Sequence, residues 1–158
     1  MLLREFITLA ADIELAVAAI YDHFAEQFAD NAEFSTFWRL SAEAERYHAA
    51  TIRIHEATAV EGQVVDEAQL PIQVGEARQL LAQLQQTTAE LATTPRTAAQ
   101  AIELALEIEG EGAEVHGRSQ FAFLYPELEE LFSRLAEEDR AHRKSFALAK
   151  QKFGQVAP

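Results

Sequence analysis

The sequence predicts an all-α protein, in which four long helices and one short helix form a single domain over residues 1–158. Leu, Ala, Glu and Gln are abundant, whereas the chain has only 6 Gly and 4 Pro. This composition favours long helices. No segment alternates apolar and polar residues with the period of a strand, so we expect no β-sheet.

The first two helices are predicted at residues 3–28 and 32–58. Between them, Asp30 and Asn31 offer an N-cap for the second helix. Each segment carries an apolar stripe at helical spacing, which is the face expected to enter the core. The stripe residues are Ile7, Ala10, Ala11, Val17, Ala18, Tyr21 and Phe24 in the first helix, and Phe34, Trp38, Ala42, Ala49 and Ile52 in the second.

The other three helices are predicted at residues 75–91, 97–121 and 126–153. The first of them is short and amphipathic. Pro126 suits the first turn of the last helix, because a helix needs no backbone N–H bond there. Gly154 is expected to end that helix.

The lengths of the connections predict how the helices pair. The first two long helices are joined by a short link, and so are the last two, so each pair is expected to be antiparallel. The link from the second long helix to the third spans residues 59–96 and contains the short helix, whereas residues 59–71 are expected to be irregular. The prediction is therefore two antiparallel helix pairs joined by a long crossover.

Composition excludes several classes of function. The chain has 26 acidic and 13 basic residues, a net charge of −13. Such a chain repels phosphate backbones and anionic membranes, so we expect neither nucleic acid nor a membrane as a partner. The absence of Cys excludes disulfides, iron–sulfur clusters and a thiol nucleophile. Asp12 and Glu14 interrupt the apolar start of the chain, so a cytoplasmic location is expected.

A carboxylate motif occurs once in each half of the chain. Each copy has a Glu, then an acid 30 or 31 positions later, then a His three positions after that acid. The six residues are Glu14, Glu45 and His48 in the first half, and Glu109, Asp139 and His142 in the second. An acid and a His three residues apart share one face of a helix. Four carboxylates and two imidazoles from four helices form the ligand set of a pair of transition-metal ions.

The neighbours of each acid on its own helix indicate whether it faces inward. The side chains three, four and seven positions away from the four motif acids are largely apolar. Glu103 and Glu107 are alternatives to Glu109 by spacing, but polar neighbours surround both. We therefore predict Glu109 as the inward-facing acid.

The fourth acid has a closer competitor. Glu138 lies four positions before His142, and Asp139 lies three before it. We prefer Asp139 because its face is more apolar and because its spacing copies that of Glu45 and His48. The alternative, Glu138, stays open at this point.

The inward-facing acids need a positive counter-charge. A buried carboxylate without a partner costs several kcal/mol or becomes protonated, and two metal ions supply the compensation. Oxygen and nitrogen ligands without sulfur suit Fe or Mn, with Zn as a further alternative.

Two more side chains are candidates to contact the ligands. Tyr21 and His116 each follow a motif Glu by seven residues, so each is placed to hydrogen-bond a ligand carboxylate. A histidine satisfied within the core is the alternative for His116. Gly110, Gly112 and Gly117 follow Glu109, and they indicate either a close helix approach or a local distortion of the helix.

The motifs resemble those of one known family. Glu14, Glu45-Arg-Tyr-His48, Glu109 and Asp139-Arg-Ala-His142 resemble the di-iron ligands of the rubrerythrin-like branch of the ferritin-like superfamily. Bacterioferritin is less similar, because it binds haem through a Met and the only Met here is Met1. The resemblance covers nearly the whole chain. It implies a ferritin-like four-helix bundle with two Fe ions, each bound by one acid-x-x-His pair, with Glu carboxylates bridging them.

The sequence also departs from the rubrerythrin pattern. The missing Cys residues leave no rubredoxin domain, so the electron donor would be a separate protein. Asp139 stands in place of a Glu, and Gly112 occupies a position where rubrerythrins often carry an additional Glu.

The resemblance implies a di-iron oxidoreductase, either a peroxidase or a ferroxidase, that acts on O2, H2O2 or Fe2+. The first alternative is iron storage or detoxification in a larger assembly. The second is a non-catalytic helical interaction module with a structural metal site. A homo-oligomer is expected, with a dimer favoured.

Overall fold

The protein is all-helical throughout the part of the chain that the structure describes, as predicted. A computed structural model describes residues 3–58, 74–117 and 126–155, and no strand occurs among them. The helices are α1 (Leu3–Gln27), α2 (Ala32–Thr58), α3 (Val74–Leu91), α4 (Ala98–Gly117) and α5 (Pro126–Phe153).

The helix positions agree with the sequence predictions to within a few residues. The segment predicted to be irregular, 59–71, lies outside the described residues, and so do positions 118–121 of the third predicted long helix. Among the described helices, none is long and apolar enough to cross a membrane.

Capping at the start of α2 explains where the chain turns. The side-chain Oδ1 of Asn31 accepts a hydrogen bond from the backbone N–H of Phe34 at 3.0 Å, so Asn31 is the N-cap. The hydroxyl of Ser35 donates to the carbonyl of Ala25 at 2.7 Å, which ties the first turn of α2 to the end of α1. The two helices therefore reverse direction within a few residues.

Contacts along α1 and α2 show that they are antiparallel. Arg46 pairs with Asp22, and Arg53 pairs with Asp12 at 3.1 Å. Positions that ascend along α2 therefore meet positions that descend along α1.

The helices α4 and α5 form a second antiparallel pair. Lys150 Nζ lies 2.8 Å from Glu103 Oε1 near one end of the pair. Thr97 and Gln100 cap α4 reciprocally, since the side chain of each accepts a hydrogen bond from the backbone N–H of the other. The side chain of Gln27 bonds both backbone groups of Arg96, which fixes the end of α1 beside the start of α4. The short helix α3 packs against α1.

Two apolar clusters fill the interior. One contains apolar residues from the second half of α1, Phe28 just after it, the start of α2, part of α3, the start of α4 and the end of α5. The other contains the start of α1, the end of α2 and the start of α5, including Phe6, Ile52 and Phe132. Along α1, α2 and α5, the positions between the two clusters are those of the acid and His motifs. The fold therefore places a short polar layer between two apolar ones.

Aromatic side chains dominate the first cluster. The Trp38 side chain is fully buried. Five rings lie within 5.6 Å of it, centroid to centroid. They belong to Tyr21, Phe24, Phe34, Phe37 and Phe146. This cluster holds α1, α2 and α5 together next to the polar layer.

Truncation of Phe146 tests how much this cluster stabilises the fold. The Phe146 ring is 1% exposed and contacts Tyr21, Phe37 and Trp38. We expect Phe146→Ala to lower the free energy of unfolding by about 3–5 kcal/mol, measured by urea denaturation, because it removes apolar burial and leaves a cavity.

The matched control is Leu148→Ala, two positions along the same helix. Leu148 is 64% exposed, so we expect a change within about 0.5 kcal/mol. Equal effects of the two substitutions would contradict the packing described.

Candidate metal centre

The polar layer holds nearly all the buried polar side chains of the described chain. Five of the six motif residues are no more than 5% exposed, and the only other buried polar residue among those described is Ser35. The five are Glu14, Glu45, His48, Glu109 and Asp139. The sixth, His142, has a side chain that is 22% exposed. Helical bundles rarely bury so many carboxylates without a reason, because each costs several kcal/mol unless it is compensated.

Glu103 and Glu107, the two alternatives to Glu109 on the same helix, are exposed to solvent. Glu103 pairs with Lys150 at the surface, and its side chain is 56% exposed. Glu107 is exposed as well. Of these three acids, only Glu109 is buried.

The first group of ligand atoms contains Glu14, Glu45 and His48. Nδ1 of His48 lies 3.0 Å from Glu45 Oε2 and 3.4 Å from Glu14 Oε2. Each residue offers one ligand atom, and these atoms lie within 4.8 Å of one another. The group can therefore hold one metal ion, and we call it the His48 triad.

A second group contains Glu45, Glu109 and His142, and we call it the His142 triad. Nδ1 of His142 lies 3.2 Å from Glu45 Oε1 and 3.6 Å from Glu109 Oε2. The two triads therefore share Glu45, which turns one carboxylate oxygen toward each histidine. The two imidazole rings are nearly parallel, with centroids 5.5 Å apart.

Two atoms at the centre of the site lack a hydrogen bond. Glu45 Oε1 and His142 Nδ1 are buried, and neither has a hydrogen-bond partner within the described residues, although they lie 3.2 Å apart. A buried polar atom without a partner costs about 1–3 kcal/mol. A metal ion between them would satisfy both, so the residues present fit a bound metal. The donor set of carboxylate oxygen and imidazole nitrogen suits Fe, Mn or Zn.

Tyr21 supports the His142 triad from the aromatic cluster. Its hydroxyl donates a hydrogen bond to Glu109 Oε1 at 2.7 Å. Burial and the negative charge of Glu109 raise the pKa of Tyr21 well above its usual value, so the hydroxyl keeps its proton and stays a donor. Tyr21 was predicted only to lie near a ligand, and its partner Glu109 is 88 positions away on another helix. The side chain of His116 lies outside the described residues.

The two acids that competed for the fourth ligand position occupy different places. Asp139 is 3% exposed, but it belongs to neither triad. Glu138 is 37% exposed, and its Oε2 lies 2.7 Å from Nε2 of His48, on the far side of the ring from the triad. The role of Asp139 as a ligand stays a prediction. The contact of Glu138 with His48 was not predicted, because the two residues are 90 positions apart.

Gly110, directly after Glu109, faces Arg143. A Cβ atom at Gly110 would meet the guanidinium carbon of Arg143 at 3.8 Å, an ordinary van der Waals distance. A close helix approach therefore does not require glycine at this position. The surroundings of Gly112 and Gly117 lie outside the described residues.

The carboxylates hold protons on the histidines. Burial by itself lowers the pKa of His48, but its contacts with Glu14 and Glu45 and their charges outweigh burial and raise it to about 11. For His142, Glu109 and Glu45 outweigh burial in the same way and raise the pKa to about 10. Burial raises the pKa of Glu109 to about 7. Protons are therefore the counter-charges of the metal-free site.

Comparison with known proteins assigns neither a family nor a function to the chain. No protein-family model, curated protein or solved structure matches the chain. The interpretation of the site therefore depends on the residues that the fold brings together.

The stability of the metal-free protein should fall as pH rises from 6 to 9. The pKa values of His48, His142 and Glu109 are all raised in the folded state, so the folded chain binds protons more tightly than the unfolded chain does. The stability from the histidines is fully present below their unfolded pKa of about 6.5 and is lost as pH approaches 10 to 11. The measurement is urea denaturation in the presence of a chelator.

The slope of this pH dependence is diagnostic. Each proton lost on unfolding contributes about 1.4 kcal/mol per pH unit. His48→Gln should reduce the slope by the equivalent of about one proton, whereas Leu148→Ala, at an exposed position without a titratable group, should leave it unchanged. A midpoint that is constant between pH 6 and 9 in the unmodified protein would contradict these protonation states.

Proposed function

We propose that this protein is a di-iron carboxylate oxidoreductase with a rubrerythrin-like site in a ferritin-like four-helix bundle. The observation that carries the proposal is the pair of triads that share Glu45. Two metal positions on either side of one carboxylate match a dinuclear centre better than two separate sites. Glu14 and His48 would complete one position, and Glu109 and His142 the other. Asp139 is the further ligand that the repeated motif suggests.

The surroundings of the triads favour a metal site that is shielded from bulk water, which suits redox chemistry. Apolar clusters lie on both sides of the polar layer, so bulk water is kept from the carboxylates. The partly exposed ring of His142 marks a side from which a small molecule can approach. The hydroxyl of Tyr21 holds Glu109 in place through a buried hydrogen bond to its carboxylate.

The proposed reaction needs two electrons. Two Fe2+ ions held by the two triads would supply them, so that H2O2 and two protons would become two water molecules as both ions are oxidised to Fe3+. Because the chain has no Cys, reduction back to Fe2+ would need an external donor protein. In the ferroxidase form of the same proposal, incoming Fe2+ is the substrate and O2 or H2O2 is the oxidant. Mn and Zn are alternative occupants of the same ligands.

A helical interaction module with a structural metal site is the second candidate. It is favoured by three exposed apolar side chains spaced seven residues apart on α2, namely Leu40, Tyr47 and Ile54. A helix partner or a second copy of the chain would cover such a stripe. If the metal is only structural, loading it should stabilise the fold without any redox response to peroxide.

Iron storage remains a proposal that depends on assembly size. The net charge of −13 would attract Fe2+ to the surface. Native mass measurement separates the possibilities, because a hollow particle of about 24 subunits supports storage and a dimer does not.

Metal stoichiometry tests the sharing of Glu45. We expect the unmodified protein to bind about two Fe2+ or Mn2+ ions per chain after anaerobic dialysis and elemental analysis, as for di-iron bundles. Glu45→Ala should lose both ions because both triads lose a ligand, whereas Glu14→Ala should keep one.

The control is Glu43→Ala, an exposed acid two positions away on the same helix. It should bind as many ions as the unmodified protein. Equal metal content in Glu45→Ala and Glu43→Ala would show that the triads do not bind metal.

Peroxide consumption tests the reaction itself. We expect the Fe2+-loaded protein to use about one H2O2 for every two Fe2+ oxidised, and to develop the near-ultraviolet absorption of protein-bound Fe3+. The rate should exceed that of the same Fe2+ concentration mixed with Glu45→Ala. Bound Fe2+ that stays unoxidised in peroxide would leave the structural role as the better account.

A further inference from the structure

The two triads hold their histidines differently. The ring of His48 is 1% exposed and is held at both nitrogens, because Nδ1 contacts Glu45 and Nε2 lies 2.7 Å from Glu138 Oε2. The ring of His142 is 22% exposed, and its Nδ1 makes no hydrogen bond within the described part of the chain. The His48 ring is therefore held at both nitrogens, whereas Nδ1 of His142 is buried without a hydrogen bond among the described residues.

The difference originates in the residue that precedes each acid of the motif. Glu138 directly precedes Asp139 on α5 and reaches across to His48 on α2. The matching residue on α2 is Ala44, directly before Glu45. The methyl group of Ala44 cannot accept a hydrogen bond, so the repeated motif lacks the corresponding contact to the other histidine. The difference between the two histidines therefore follows from the sequence, which has Ala at position 44 and Glu at position 138.

The contact between Glu138 and His48 bears on how tightly His48 can bind a metal ion. A histidine that binds a metal through one ring nitrogen carries its hydrogen on the other. When a carboxylate accepts that N–H, it fixes the tautomer and the ring orientation, and loss of such a partner typically weakens metal binding 10–100-fold. Glu138 lies on the Nε2 side of His48, opposite the nitrogen that faces Glu14 and Glu45. It therefore stands where such a partner is needed.

We propose that Glu138 is a positioning residue that makes the His48 triad the tighter metal position, filled first, while the His142 triad is filled second and exchanges its ion more readily. This inference rests on the proposed metal site but not on its redox activity. The half-exposed carboxylate of Glu138 would hold His48 without itself entering the coordination sphere.

Titration of the metal-free protein with Zn2+ tests the order of filling. Calorimetry should resolve two binding steps whose affinities differ at least 10-fold. Glu138→Ala should weaken the first step 10–100-fold and leave the second unchanged, since only His48 loses its partner. Glu138→Gln should restore part of the loss, because the amide oxygen still accepts a hydrogen bond from Nε2–H.

Two control variants make the test specific. Glu137→Ala removes an exposed acid next to Glu138 and should change neither step. His142→Ala should abolish the second step and keep the first. Equal weakening of both steps by Glu138→Ala would overturn the proposal in favour of a general structural role, and so would no change in either step.

Nitrogen-15 NMR of labelled histidine supplies a readout independent of affinity. In the Zn2+-loaded protein, the Nε2–H signal of His48 should exchange slowly with solvent, and Glu138→Ala should make it exchange fast or disappear. A signal unaffected by the substitution would overturn the proposal. Failure of the chain to bind Zn2+ at all would instead count against the proposed function, so the two failures are distinguishable.

Discussion

The burial of four carboxylates between two apolar clusters is the constraint on which the rest of the structure depends. Glu14, Glu45, Glu109 and Asp139 are each at most 5% exposed. Like charges so close together in a poorly solvated layer demand a counter-charge. In the metal-free protein, protons on His48 and His142 provide it, because both pKa values are raised far above that of a free imidazole. Metal ions bound at the proposed site would replace these protons, so metal binding should release protons.

The apolar clusters make this arrangement possible. The ring cluster around Trp38 locks α1, α2 and α5 on one side of the polar layer, and the second cluster closes the other side. Tyr21 belongs to both regions, since its ring packs on Trp38 and its hydroxyl bonds Glu109. Packing and ligand geometry are therefore coupled through one side chain. A substitution that loosens the cluster would also disturb the carboxylate on α4.

The helices and the inward-facing acids could be predicted from sequence because both depend on the spacing of residues within a single helix. Caps such as Asn31 and the period of the apolar stripe fix where helices begin and which way they face. The choice of Glu109 over Glu103 and Glu107 followed from neighbours within two turns of the same helix, and the structure buries only Glu109. Asp139 is buried too, yet its burial alone does not make it a member of either triad.

By itself, the sequence determined the five helices, the repeated motif and the inward direction of its acids, since each depends on residues a few positions apart. Only the tertiary structure decided how the side chains meet across helices. Glu45 turns its two oxygens toward histidines on different helices, and Glu138 contacts His48 from 90 positions away. These contacts depend on the relative rotation and displacement of α2 and α5, which helical periodicity does not specify. For that reason the asymmetry between the two halves became visible only in the folded protein.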